Sequence, residues 1–443
     1  MRPERERSAC GIGFVADAQA RSSRAIVQTA IDALARLRHR GAVAADARTG
    51  DGAGMLLPLP RRFLATEAER AGVPAVDPER LGLASVFAAR GAGVDLVRGI
   101  VEAACLEEGI VVLGWRDVPV EPDALGDEAR ATMPSILHAF LTSSDASGGS
   151  DPQQRAHRAR RRAERELRER GEAAYFPSFG FRAVTYKALA AADQLAEFYP
   201  DLRDPAMEAP FALFHQRYST NTAPTWDRAQ PFRTLCHNGE INTIWGNVAR
   251  MRAREGNLGF SAPGEEDLFR PVVDESGSDS AILDEVVELL TSEGGSEGAG
   301  RDIRRVVAML VPAAWRSDPR LEDEVRDFYA WNASLMEPWD GPAALVFSDG
   351  LCVGAALDRN GLRPLRYAAC EDGLVVCASE AGVVDLRDRG VVRRGKLRAG
   401  EMIVVDPRAG GLQLDPVRWA ARQQPYGTWL RAHRVDGSIG DPA

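Results

Sequence analysis

The sequence points to an α+β fold in which stacked sheets are flanked by helices, and three observations carry that expectation. β-like and helical segments alternate from the first cysteine to about residue 140. From about residue 340 the strand-like segments cluster. Hydrophobic residues make up 45% and charged residues 27% of the 443 positions, the balance of a globular chain that can bury a large core. Pattern alone leaves several folds of this kind open.

The elements follow in order. Cys10-Gly-Ile-Gly-Phe-Val-Ala16 is short and β-like and ends in Asp17. From Ala25 to Arg38, Ile26, Ala30, Leu34 and Leu37 recur at helical spacing. The glycine-rich stretch Arg48-Thr-Gly-Asp-Gly-Ala-Gly54 leads into the apolar run Met55 to Leu59. Leu83 to Ala88 is strand-like, Val94 to Cys105 helical and Ile110 to Trp115 strand-like again. A polar break at 143–152 precedes the basic stretch Gln153 to Arg170. Glu164, Glu166 and Glu169 are interspersed there, which predicts a solvated helix with internal charge pairs rather than a nucleic-acid arm. The run SEGGSEGAG at 292–300 reads as a surface loop. Strands are then expected at Ala343 to Phe347, Leu351 to Leu357, Leu374 to Ala378 and Glu401 to Val405, before a mixed helix and tail. No internal repeat is visible.

Net charge is -9, so nothing electrostatic calls for nucleic acid or an anionic membrane as a partner. No apolar run approaches the roughly 18 residues of a membrane span. The leader MRPERERSA is charged and has no apolar core, unlike a secretory signal, so a cytoplasmic protein is expected. Six cysteines stand at 10, 105, 236, 352, 370 and 377. None has CxxC spacing, and Cys370 and Cys377 have no histidine nearby, so no metal site is expected and the thiols read as free and mostly buried.

Four features could carry chemistry. A thiol needs a lowered pKa or a neighbouring base to act as a nucleophile. Were Cys10 the first residue, its own α-amine, with an ordinary pKa of about 7.7–8.0, would be that base. A cysteine near a chain start is otherwise unremarkable in function. Phe211-Ala-Leu-Phe-His-Gln-Arg217 delivers one arginine at the end of an apolar run, suited to gripping a carboxylate through two hydrogen bonds, or to a surface salt bridge. Asn238-Gly239 fits either a type I′ hairpin turn or an oxyanion hole built from an amide and a backbone N–H. Asp279, in Ser276-Gly-Ser-Asp-Ser280 before an apolar helix, is either a helix cap or a carboxylate for a substrate ammonium.

Longer motifs carry a resemblance. Cys10-Gly-Ile-Gly-Phe-Val-Ala, His39-Arg-Gly-Ala, Thr49-Gly-Asp-Gly-Ala-Gly, His215-Gln-Arg-Tyr-Ser-Thr-Asn-Thr, Gln230-Pro-Phe and His237-Asn-Gly-Glu-Ile-Asn-Thr occur in that order. Ser276-Gly-Ser-Asp-Ser, Met336-Glu-Pro-Trp-Asp-Gly-Pro-Ala-Ala, Asp358-Arg-Asn-Gly-Leu-Arg-Pro and Ala378-Ser-Glu-Ala-Gly continue the series. Over roughly 9–410 the chain resembles the glutaminase (class II glutamine amidotransferase) domain of the glutamate synthase large subunit. The resemblance implies a four-layer αββα sandwich of the N-terminal-nucleophile hydrolase type. It also implies that Cys10 is the nucleophile, that Asn238 and Gly239 form the oxyanion hole, and that Arg217 and Asp279 hold the α-carboxylate and α-ammonium of L-glutamine. Residues 1–9 are then a propeptide, 10–410 the amidotransferase domain and 411–443 a linker or tail. One departure is Ala313, where an acidic residue is expected.

The resemblance further implies that ammonia passes to a synthase part that makes glutamate from 2-oxoglutarate. FMN and an iron–sulfur cluster are expected in that part and no cofactor in this chain. The chain would then be a stand-alone subunit of a split enzyme or a truncated large subunit. A glutaminase serving another acceptor, and a non-catalytic regulatory module of the same fold, are the competing readings. The matches beyond residue 300 weigh against the first, and the presence of all five site residues against the second.

Overall fold

The computed structural model describes residues 10–90, 93–143, 151–217, 224–257, 266–293 and 300–433. The expected propeptide and most of both polar breaks lie outside them. In chain order the strands are β1 (Gly11–Asp17), β2 (Ala53–Pro58), β3 (Leu81–Ala88), β4 (Ile110–Asp117) and β5 (Ser135–Ser143). They continue with β6 (Ala174–Gly180), β7 (Ala183–Ala188), β8 (Phe211–Gln216), β9 (Leu235–Gly239), β10 (Ala343–Ser348) and β11 (Val353–Leu357). The last are β12 (Arg366–Cys370), β13 (Leu374–Ala378), β14 (Val391–Lys396), β15 (Met402–Asp406) and β16 (Gly411–Gln413). The helices are α1 (Arg24–Arg36), α2 (Arg61–Arg70), α3 (Gly93–Glu107), α4 (Asp127–Ala131), α5 (Pro152–Arg170) and α6 (Leu195–Phe198). After them come α7 (Ile244–Arg254), α8 (Asp279–Ser292), α9 (Ile303–Leu310), α10 (Asp323–Leu335), α11 (Pro416–Ala421) and α12 (Tyr426–His433).

The strands form three antiparallel sheets: β14-β12-β13-β1-β8-β2-β7, β16-β15-β11-β10-β9 and β4-β5-β3-β6. Side-chain alternation explains how the first two stack. Ile12, Phe14 and Ala16 of β1 point into one core with Leu213 of β8, Val346 of β10, Ala355 of β11 and Ile403 of β15. Val15, one step out of phase, packs instead with Ile26, Val27 and Leu34 of α1. The second sheet behaves alike: Leu345 and Phe347 face a core built with Val286 of α8, Val307 of α9 and Phe328 of α10. Helices, sheet, sheet, helices: this is the expected four-layer αββα sandwich.

The third sheet is an addition that the sequence pattern did not separate. Leu81, Leu83 and Phe87 of β3 join the core under α1, while Ala84, Val86 and Ala88 pack with α3 and α5. Both faces are therefore covered, which is why the segment reads as an unbroken apolar run. The segment expected as a linker or tail contributes β16 to the second sheet, and Val417 and Tyr426 from α11 and α12 to its core; 434–443 lie outside the described residues.

The basic stretch is a helix, but the expectation that it is solvated is corrected. Asp151 caps α5 by accepting from the Gln153 N–H, and Gly171, at φ +69°, ends it. Ala156, Ala159, Ala163 and Leu167 form a buried stripe against the third sheet. Arg160 and Arg158 beside that stripe reach α8 and the residue that follows it rather than water. Arg160 pairs with Glu288 at 2.6 Å and also with Glu164, while Arg158 pairs with Glu293 at 3.0 Å. Small residues at i, i+3, i+7 bring the helix close to its neighbours, and long arginine stems then span to acids across the contact.

Candidate active site

The site is assembled by strand ends. In the first sheet Gly11 of β1 and Ala53 of β2 both lie opposite Gln216 of β8. One residue further along each strand, Cys10 and Gly52 flank Arg217, whose N–H donates to the Gly52 carbonyl at 2.9 Å. Arg217 sits at φ +88°, a sparsely populated conformation for a residue with a side chain. Such strain, where it is observed, marks sites held by their surroundings. An arginine at the end of an apolar strand is thus fixed beside Cys10, its side chain 19% exposed, which is no loose surface salt bridge.

Cys10 is buried and is gripped from the second sheet. Its N–H donates to Asn238 Oδ1 at 3.2 Å, and Asn238 Nδ2 donates to the Cys10 carbonyl at 3.0 Å. One amide therefore fixes the backbone of the candidate nucleophile on both sides. Burial pushes the Cys10 thiol up to about 11; Arg217 and Arg363 oppose that rise and Asp51 adds to it. The thiol is neutral at physiological pH and needs a base at hand.

Asn238 and Gly239 are not a hairpin turn. They end β9, opposite Ala344 and Ala343 of β10. Gly239 has φ +147°, and a Cβ there would stand 1.7 Å from the Pro342 carbonyl oxygen. No other residue fits, so the close approach of backbone to backbone leaves this peptide presented at the strand end. Asp279 is not the cap of α8; Ser278 is, accepting from the Ala281 N–H. The Asp279 carboxylate accepts instead from the Ile241 N–H at 2.9 Å and the Ser280 N–H at 2.7 Å, next to the end of β9. Asp284 of the same helix ties down the start of β9, accepting from the N–H groups of Thr234 at 2.7 Å and Leu235 at 3.2 Å. Helix α8 thus positions both ends of the strand that carries Asn238 and Gly239.

Two further motifs are joined near the start of β1. Arg40 and His39 each pair with Glu380 at 2.7 Å, joining the His39-Arg-Gly and Ala378-Ser-Glu motifs. The Ile12 N–H donates to Ser379 Oγ. The residues that sequence reasoning left without a role are Asp51 and Arg363. Both sit inside the motifs given above, but only the register of β1, β8 and β2 brings Asp51 within 3.8 Å of Arg217, where its charge also acts on Cys10. Among the described residues no group of three or more His, Cys, Asp and Glu is arranged to hold a metal ion, and no helix is long and apolar enough to cross a membrane.

Comparison with known proteins identifies the family. The family described as glutamine amidotransferases class-II matches residues 10–429, beginning at Cys10. The chain belongs to the class II glutamine amidotransferases. It is 40% identical to ferredoxin-dependent glutamate synthase 2 of Synechocystis sp., over 97% of this chain and 27% of that protein. It is 41% identical to the large chain of glutamate synthase [NADPH] of Azospirillum brasilense, over 97% of this chain and 28% of the relative. Identity to the corresponding large chain of Bacillus subtilis is 38%, over 98% and 28%. This amidotransferase therefore spans little more than a quarter of the length of the relatives it matches.

Proposed function

We propose that the chain hydrolyses the side-chain amide of L-glutamine through a thioester on Cys10, releasing glutamate and ammonia. The observation that carries this reading is the juxtaposition at the strand ends: a buried thiol, an arginine across the sheet and an amide bracketing the thiol's own backbone. Cys10 attacks the amide carbon. Its α-amine, freed by removal of residues 1–9, takes the thiol proton and later gives it to the departing nitrogen. A thiol held near 11 cannot ionise without such an acceptor, and Asn238 Oδ1 already orients the nitrogen that would serve. The second hydrogen of Asn238 Nδ2 and the Gly239 N–H are the donors for the tetrahedral oxyanion, each worth about 10²–10³ in rate. Water then cleaves the thioester. Arg217 takes the substrate α-carboxylate and Asp279 its α-ammonium, so a ligand lacking either group leaves a charge unpaired.

The ammonia acceptor in this reading is a synthase part that makes glutamate from 2-oxoglutarate, in the cytoplasm. The relatives' names, and the length they have beyond the matched region, support the synthase part. FMN and an iron–sulfur cluster belong to that part. The six cysteines here are free and buried, and do not fit a cluster. Ammonia release from glutamine, compared between the wild-type chain and Cys10→Ala, tests the proposal; a Cys10→Ala protein that keeps the activity overturns it.

A further inference from the structure

Asp51 belongs to the loop between α1 and β2, and the fold holds it tightly. Its N–H donates to the Ala42 carbonyl at 3.2 Å, and Val43 and Gly50 bridge across the same loop. Gly41 lies so close to Gln216 that a Cβ there would stand 2.1 Å from Gln216 Nε2. That Nε2 donates to Asp51 Oδ1 at 3.2 Å. Asp51 Oδ2 stands 3.8 Å from Arg217 Nε, with the two side chains only 13% and 19% exposed.

We infer that Asp51 is a positioning residue of the glutamine site, anchoring the Arg217 guanidinium through Nε so that it can clamp a substrate carboxylate. A bidentate clamp through the two terminal nitrogens does not use Nε. A largely buried ion pair at Nε therefore restrains its orientation while leaving a terminal-nitrogen clamp possible. The inference rests on the glutaminase reading for its substrate. The groups facing Asp51 are Gln216 of β8, Arg217 just past the end of that strand, and the backbone N–H of Ala42; its charge also acts on the Cys10 thiol, just before β1.

The pH dependence of substrate binding separates this role from a merely structural one. Burial raises the Asp51 carboxyl to about 6, so below that pH it takes up a proton and releases Arg217. Asp51→Asn should bind glutamine worse, and its KM should no longer follow that titration.

The test measures glutaminase kcat and KM from pH 5 to 8 on wild-type, Asp51→Asn and Asp51→Glu chains. Expected is a KM for glutamine raised about tenfold or more in Asp51→Asn with kcat within about threefold, as lost ion-pair anchoring of about 1.4 kcal/mol implies. Wild-type KM should climb below pH 6, Asp51→Asn should lack that rise, and Asp51→Glu should recover most of the affinity. An unchanged KM, or KM and kcat worsening together, overturns the inference. If the wild-type chain releases no ammonia, the glutaminase reading falls by itself. Glutamine binding to the same chains by titration calorimetry then decides for Asp51: weaker binding in Asp51→Asn supports the anchoring role, and an unchanged affinity, or no binding by the wild-type chain, overturns it.

Discussion

Replacing Asp284 by alanine should loosen the candidate site from a residue that never touches it. Asp284 is wholly buried in α8 and accepts four hydrogen bonds, from the N–H groups of Arg233, Thr234 and Leu235 and from the Thr234 hydroxyl. Those donors lie at and just before the start of β9, three to five residues before Asn238. Asp284→Ala leaves them buried without an acceptor, at about 1–3 kcal/mol for each that water cannot reach. The losses overlap, and Arg233 keeps Glu288 at 2.7 Å, so a total of about 3–5 kcal/mol is expected, as for breaking a buried pair. Unfolding entropy of about 2.1 cal/mol/K per residue over 443 residues converts this into a Tm lowered by about 4 °C. Scanning calorimetry measures that shift, and ammonia release should fall with it as β9 loses its anchor. A variant melting within about 1 °C of wild type, with full activity, would refute the claim that α8 sets the strand.

Three further outcomes follow from the same geometry. Gly239→Ala must place a Cβ against the Pro342 carbonyl at a φ that side chains avoid, so glutaminase kcat should drop by about 10²–10³ while KM changes less; a wild-type kcat removes Gly239 from the oxyanion hole. Burial holds the Glu285 carboxyl up at about 7 against an ordinary 4.5, so the native chain keeps a proton that the unfolded chain releases. Stability should therefore fall as pH rises from about 4.5 to 7, and Glu285→Gln should flatten that slope in thermal melts; an equal slope contradicts the assignment. Arg217→Lys keeps the charge but loses the planar fork, so KM for glutamine should rise at least about tenfold, and a KM within twofold of wild type would argue against a bidentate clamp.

Local elements were legible where a single physical signal decided them. The strand expected at Leu374 to Ala378 is β13 residue for residue, and those at 343 and 401 differ by one position at their ends. Alternation and short apolar runs carry that information within a few residues. What depended on partners distant in sequence was not legible. Nothing local separates β3 to β6 into a sheet of their own. Arg160 cannot be known as buried until Glu288 is placed beside it, so charge content alone suggested a solvated helix. The same limit explains the site. Arg217 at the end of an apolar run could be foreseen as a fixed cation. Asp51, by contrast, reads as one more polar residue among glycines, and its meaning comes only from the register that sets Gly52 and Cys10 on either side of Arg217. For Asn238 the residues left a turn or an oxyanion donor open, and its grip on both the nitrogen and the carbonyl of Cys10 needed the two sheets to be stacked.

The central claim is that Cys10 acts as nucleophile with its own α-amine as base, and the N-terminus of the active protein tests it most directly. Intact-mass and N-terminal peptide mass spectrometry should be run on preparations titrated for ammonia release from glutamine. The account predicts that activity tracks the fraction of chains beginning at Cys10, with residues 1–9 removed. Full activity in chains that keep those nine residues would contradict it.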